Sequence, residues 1–214
     1  MTALLALLDA VVSDLVGNDE STSAIHARSA ELRRDTGPAA GSIARADSLV
    51  QATSERLGIS LADAYQLVGE RVVPLLAVEM AAQLRRHSTA HTFCLHLNAI
   101  VQSELQAMVP TVPLPFVDVE MLDFTALRLS FVGDGNALAL AKGLLSGVAR
   151  CYGQEARFLD VPPSQISQAA VRDGRRYLDL AFVPDARADV GLKRPVLDEQ
   201  RRASPAVALR GLFR

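Results

Sequence analysis

Apolar residues in this chain change their period, and the change restricts the fold to mixed helix and sheet. Up to about residue 108 they recur at helical spacing. Beyond Val112-Pro113-Leu114-Pro115, a stretch its prolines hold extended, they begin to alternate as in half-buried strands. In the first part, Leu4, Leu5, Leu8, Val11, Val12 and Leu15 predict a helix over 3–16, stopped by Gly17-Asn18. Residues 19–35 predict a second, more polar helix with Ile25 and Leu32 as its apolar points. The loop Thr36 to Gly41 follows, then a third helix over 43–57 with Leu49, Val50 and Leu57, ended by Gly58. Ser60 opens a fourth helix, and Asp63 three residues on completes a capping-box arrangement. Pro74 is expected to kink or break that helix, because it has no N–H and its ring collides with the preceding turn. His87 to His91 is a polar joint. The clearest helix spans 92–108, where Phe93, Leu97, Ile100, Val101, Glu104 and Met108 share one repeat and Val101 falls near the centre of the buried face.

The second part predicts strands at 116–120, 126–132, 155–161 and 177–183. A helix over 137–152, ended by Gly153, separates the second strand from the third, with Asn136 as its N-cap. Helices followed by strand–strand–helix–strand–strand argue for an α+β fold, a helical part packed on an antiparallel four-stranded sheet. The expected domain covers 1–184, with a helical subdomain over 1–91 and the long helix plus sheet over 92–184. Residues 185–214 carry seven Lys or Arg against four Asp or Glu, with Pro195 and Pro205, and are expected to be a linker or tail.

Composition excludes several classes. With 214 residues, half of them hydrophobic, the chain can bury a sizeable core. A net charge of −2 gives no reason to expect nucleic acid or an anionic membrane, and no apolar run is long enough to span a bilayer. The N-terminal stretch has Asp9 and Asp14 and no basic start, so it is a poor signal peptide, and a cytoplasmic location is expected. Cys94 and Cys151 lack metal-site spacing and are expected to be ordinary thiols. No Ser/His/Asp set, nucleophile elbow or paired-carboxylate motif stands out, so no enzyme is expected. Gly133-Asp134-Gly135 is too short a glycine pattern for a phosphate loop and predicts a tight turn. The doublets Arg33-Arg34, Arg85-Arg86, Arg175-Arg176 and Arg201-Arg202 predict solvated surface.

Several local patterns then occur in a particular order. Gly17-Asn18-Asp19 follows the first helix, and Arg56-Leu57-Gly58-Ile59-Ser60 joins a helix pair. Leu67-Val68-Gly69-Glu70 lies in the next helix, and Gly143 to Ala149 reads Gly-Leu-Leu-Ser-Gly-Val-Ala. With the long helix and the proline segment between them, these resemble the haem-nitric oxide/oxygen binding (H-NOX) family over about residues 1–183, most strongly in the second half. The resemblance implies a gas-sensor fold. It also implies haem-pocket positions: the iron-ligating histidine of the family falls on Val101, and Pro113 and Pro115 lie where a family proline presses on the haem. The propionate-gripping Tyr-x-Ser-x-Arg motif falls on Phe131, Gly133 and Gly135. Valine has no lone pair for iron, and this stretch has lost the phenol, the hydroxyl and the guanidinium while gaining Asp134. No cofactor is therefore expected, and the alternative is haem on a non-family ligand, His96. A haem-sized void would be strongly destabilising, so the pocket must be filled, closed or given to another apolar ligand. The resemblance further implies a regulatory partner in trans, such as a histidine kinase or a cyclic-nucleotide enzyme, or a homodimer.

Overall fold

The computed structural model describes residues 10–16, 19–36, 42–79, 81–100, 117–159 and 175–185. Helix α1 (residues 10–16) buries Val11 and Val12, as its spacing predicts; Leu4, Leu5 and Leu8 lie outside the described residues. Helix α2 (Asp19–Thr36) enters the core through Ile25 and packs on α3 (Ser42–Leu57). Polar contacts tie this pair at the surface: Arg28 Nε donates to Glu55 Oε2 at 2.7 Å, and Arg56 donates to Ser21 Oγ at 2.9 Å. Gly58 ends α3 at φ +65°, a left-handed conformation that glycine adopts without a Cβ penalty. Ser60 Oγ accepts the Asp63 N–H at 3.1 Å and donates to the Asp63 carboxylate at 2.6 Å, so the predicted cap opens α4 (Leu61–Glu79).

Helix α4 runs through Pro74 instead of breaking there. The missing proline N–H leaves the Glu70 carbonyl without its usual helical partner. That carbonyl faces Gly147 of α8 (Gly135–Cys151), lying 2.9 Å from where a Cβ at Gly147 would stand. Three glycines make this close approach possible. A Cβ on Gly69 would meet the Leu140 carbonyl at 2.6 Å, one on Gly147 would meet Val73 Cβ at 2.7 Å, and one on Gly143 would run into the Gln66 carbonyl. The pairing of Gln66 with Gly143 and of Glu70 with Gly147 sets the two helices in the same direction, backbone against backbone.

The long helix predicted over 92–108 is interrupted. After α5 (Ala81–Arg86), α6 (Ala90–Leu95) starts at a capping box made by Thr89 and Thr92 and stops at His96, whose N–H turns back to the Phe93 carbonyl at 3.0 Å. This tighter bond breaks the ladder before α7 (Leu97–Ile100) resumes it. The remainder of the predicted helix lies outside the described residues.

Strands β1 (Asp118–Met121), β2 (Ala126–Val132), β3 (Gln154–Leu159) and β4 (Arg175–Pro184) form an antiparallel sheet in the order β1-β2-β4-β3. The expected α+β class therefore holds. The last strand is inserted between β2 and β3, which run parallel to each other and are joined through α8. One face of the sheet supplies Leu127, Leu129, Leu178, Leu180 and Phe182 to a single core with Leu145, Val148 and Ala149 of α8 and Phe93 and Cys94 of α6. On the other face Arg128 grips Asp179 with two bonds of 2.7 Å across the β2–β4 register pair. A slipped register would strand these partly buried charges, so the pair favours the observed one. The β1–β2 turn is held by Asp123 Oδ1, which accepts the N–H groups of Thr125 and Ala126 at 2.6 and 2.7 Å.

Candidate functional site

Strand β2 and helix α8 meet in a turn that contains three of the expected pocket positions. Phe131 alternates inward from β2 and is buried at 5% exposure. Two residues later the chain must reverse into α8. Asp134, not Asn136, caps that helix: its backbone is extended, and its carboxylate accepts the Ala137 N–H at 2.9 Å. Either side chain can cap a helix, and the backbone conformation selects the earlier one. The Gly133 carbonyl accepts from Arg176 Nε of β4 at 3.1 Å, which ties the turn to the neighbouring strand. A Cβ on Gly133 would stand 2.7 Å from Ala137 Cβ, whereas one on Gly135 would meet nothing within 4 Å. The turn's carboxylate is thus committed to the helix and one of its carbonyls to Arg176.

Val101, Pro113 and Pro115 lie outside the described residues. His96 belongs to a different cluster, at the joint of α5 and α6. Its Nδ1 lies 2.9 Å from the Thr92 carbonyl, and its ring faces that of His87 with centroids 4.9 Å apart. His87 in turn stands edge-to-face against the buried Phe93 ring at 5.7 Å. Burial holds the His87 pKa below its ordinary value, and His96 and Arg86 add to the effect, which favours the neutral ring. The sequence reading missed this pairing. The two histidines are nine residues apart, and only the turn at Thr89 brings their rings together.

Other chemistry-bearing groups are structural. Burial pushes the Cys94 thiol up to about 12 and Cys151 to about 11, which leaves both as unreactive packing groups. The Tyr152 hydroxyl donates to the Leu84 carbonyl at 2.7 Å, and its ring lies near Phe93. Among the described residues no group of three or more His, Cys, Asp or Glu side chains could hold a metal ion. No described helix is long and apolar enough to cross a membrane.

Comparisons with known proteins agree with this architecture. A family model described as haem-NO-binding matches residues 42–158, more than half of the chain. An H-NOX protein from S. oneidensis, solved in the Fe(II)NO state, superposes with a TM-score of 0.63 at 16% identity, covering 83% of this chain and 98% of its own. An unliganded Fe(II) H-NOX protein from K. algicida gives 0.65 at 14% identity, covering 87% and 98%. An oxygen-binding H-NOX domain related to soluble guanylate cyclases gives 0.61 at 14%, covering 86% and 96%. At these identities the structures share the fold. No curated protein matches the sequence.

Proposed function

Because this chain belongs to the haem-NO-binding family, we propose that it is a regulatory sensor-fold domain that works without a histidine-ligated haem and signals through protein contacts or another apolar ligand. The observation that carries this reading is the state of the β2–α8 turn. Phe131 offers a hydrocarbon ring where a phenol would be needed. Gly133 is enclosed so tightly by Ala137 that a serine there would force a rearrangement, and the neighbouring carboxylate is spent on capping α8. A negatively charged propionate would meet Asp134 instead of an arginine, and like charges repel. Val101, as the counterpart of the iron ligand, cannot donate a lone pair. These residues do not fit haem held in the manner of the family.

His96 stands in a cluster with His87 at the α5–α6 joint. It caps α6, and its Nδ1 is engaged with a backbone carbonyl. In this reading a partner in trans, such as a histidine kinase or a cyclic-nucleotide enzyme, receives the signal. A homodimer would serve the same purpose.

The test is the absorption spectrum of the purified full chain before and after hemin is added. The expected spectrum has no sharp Soret band beyond loose, non-saturating binding. A tight Soret band that disappears in His96→Ala would overturn the proposal and make this a haem sensor with an unusual iron ligand. A tight band that survives His96→Ala would overturn it as well and send the search for a ligand elsewhere in the chain.

A further inference from the structure

The α5–α6 joint holds two imidazoles whose positions are fixed before any ligand arrives. The His87 N–H donates to the Leu84 carbonyl at 3.3 Å, and the His87 ring is braced against Phe93, itself 3% exposed. His96 is anchored at both levels, with its backbone N–H on the Phe93 carbonyl and its Nδ1 on the Thr92 carbonyl. A carbonyl can only accept, so Nδ1 is the donor in this contact and Nε2 is the ring nitrogen left to face a ligand. A backbone carbonyl behind one ring nitrogen is the arrangement that orients histidine as a metal ligand through the other.

The spacing of the rings is compatible with one shared ion. A metal–nitrogen bond of about 2.0–2.1 Å puts an imidazole centroid about 3.2 Å from the ion. Two such rings on one ion then have centroids about 4.5 Å apart at a right angle and about 5.2 Å apart at the tetrahedral angle. The observed separation is 4.9 Å, between these limits. We propose that His87 and His96 form a two-imidazole site for a divalent cation from the copper–zinc end of the first transition row.

The choice of cation follows from the surroundings. Arg86 adjoins His87, and its guanidinium is directed to Gln83 Oε1 at 3.0 Å. Hard ions such as Mg2+ or Ca2+ require several oxygen ligands, which this pair of nitrogens does not supply. Cu2+, Ni2+ and Zn2+ gain enough from neutral imidazole to bind beside an arginine, with copper strongest. His96 is exposed, so solvent completes the coordination shell. The site needs neither Val101 nor the β2–α8 turn, and it shares only His96 with the alternative haem reading.

The experiment is a calorimetric titration of the full chain with CuSO4 and, separately, ZnCl2, followed by electron paramagnetic resonance of the copper complex. The expected result is one saturable site, with superhyperfine splitting from two imidazole nitrogens. His96→Ala should weaken copper binding at least about tenfold. His87→Phe keeps an aromatic ring against Phe93 while removing the ligand, and should do the same in a protein that melts as wild type does. Both changes together should abolish the site, and His26→Ala should leave it intact. Equal affinity in the wild type and the double variant would overturn the proposal, as would a copper spectrum without imidazole nitrogen, which would place the metal elsewhere on the chain.

Discussion

Helix α8 meets the rest of the protein in two contrasting ways. Along its middle, Gly143 and Gly147 bring its backbone against α4, and any larger residue would collide with backbone or Cβ atoms that have nowhere to go. At its N-terminus, Gly135 has no neighbour within 4 Å of a would-be Cβ, and only Gly133 is enclosed. The middle is dictated by the packing of two helices. At Gly135 the end tolerates many side chains. Packing therefore fixes the seam, while an open turn position on the same helix is free to vary at little cost in stability.

Substitutions along this one helix can break that comparison. Gly143→Ala should have the largest effect, about 3 kcal/mol or more by guanidinium denaturation, because overpacking here must separate two helices. A loss below about 1 kcal/mol would mean that the seam relaxes and the contrast fails. Gly133→Ser should cost about 2 kcal/mol, since its Cβ meets Ala137 Cβ on the rigid first turn of α8. Asp134→Ala removes the cap of α8 and should cost about 1 kcal/mol, with Asp134→Asn restoring most of it. Smallest of all, Gly135→Arg should change stability by no more than about 0.5 kcal/mol, as befits an open surface position. If Gly135→Arg proved as damaging as Gly133→Ser, the turn would be as constrained as the seam.

Much of this molecule is legible from residue pattern. Period and punctuation locate α3, the Ser60 cap, β2 and α8, because local chemistry decides them. Three features escape that reading. Pro74 is expected to kink or break α4, yet the helix runs on and the orphaned Glu70 carbonyl faces a glycine on a neighbouring helix, remote in sequence. The interruption at His96 leaves no mark, because apolar spacing continues across it from Phe93 to Leu97. The insertion of β4 between β2 and β3 depends on pairing between distant strands, which alternation alone does not encode. The candidate site divides in the same way. Phe131, Gly133 and Gly135 lie at a strand-to-helix turn that alternation and the glycines locate, whereas the His87–His96 pair arises from a bend that no periodicity reveals.

The place of β4 also governs the order in which the domain can be assembled during synthesis. Strands β2 and β3 leave the ribosome before their shared neighbour, each with an edge open where β4 will lie. Until residues 175–184 emerge, the sheet exists only as the β1–β2 hairpin and a separate β3, and its apolar face has no continuous floor. The domain therefore closes in one late step. A ribosome stalled short of that strand would hold an aggregation-prone intermediate instead of a smaller folded domain.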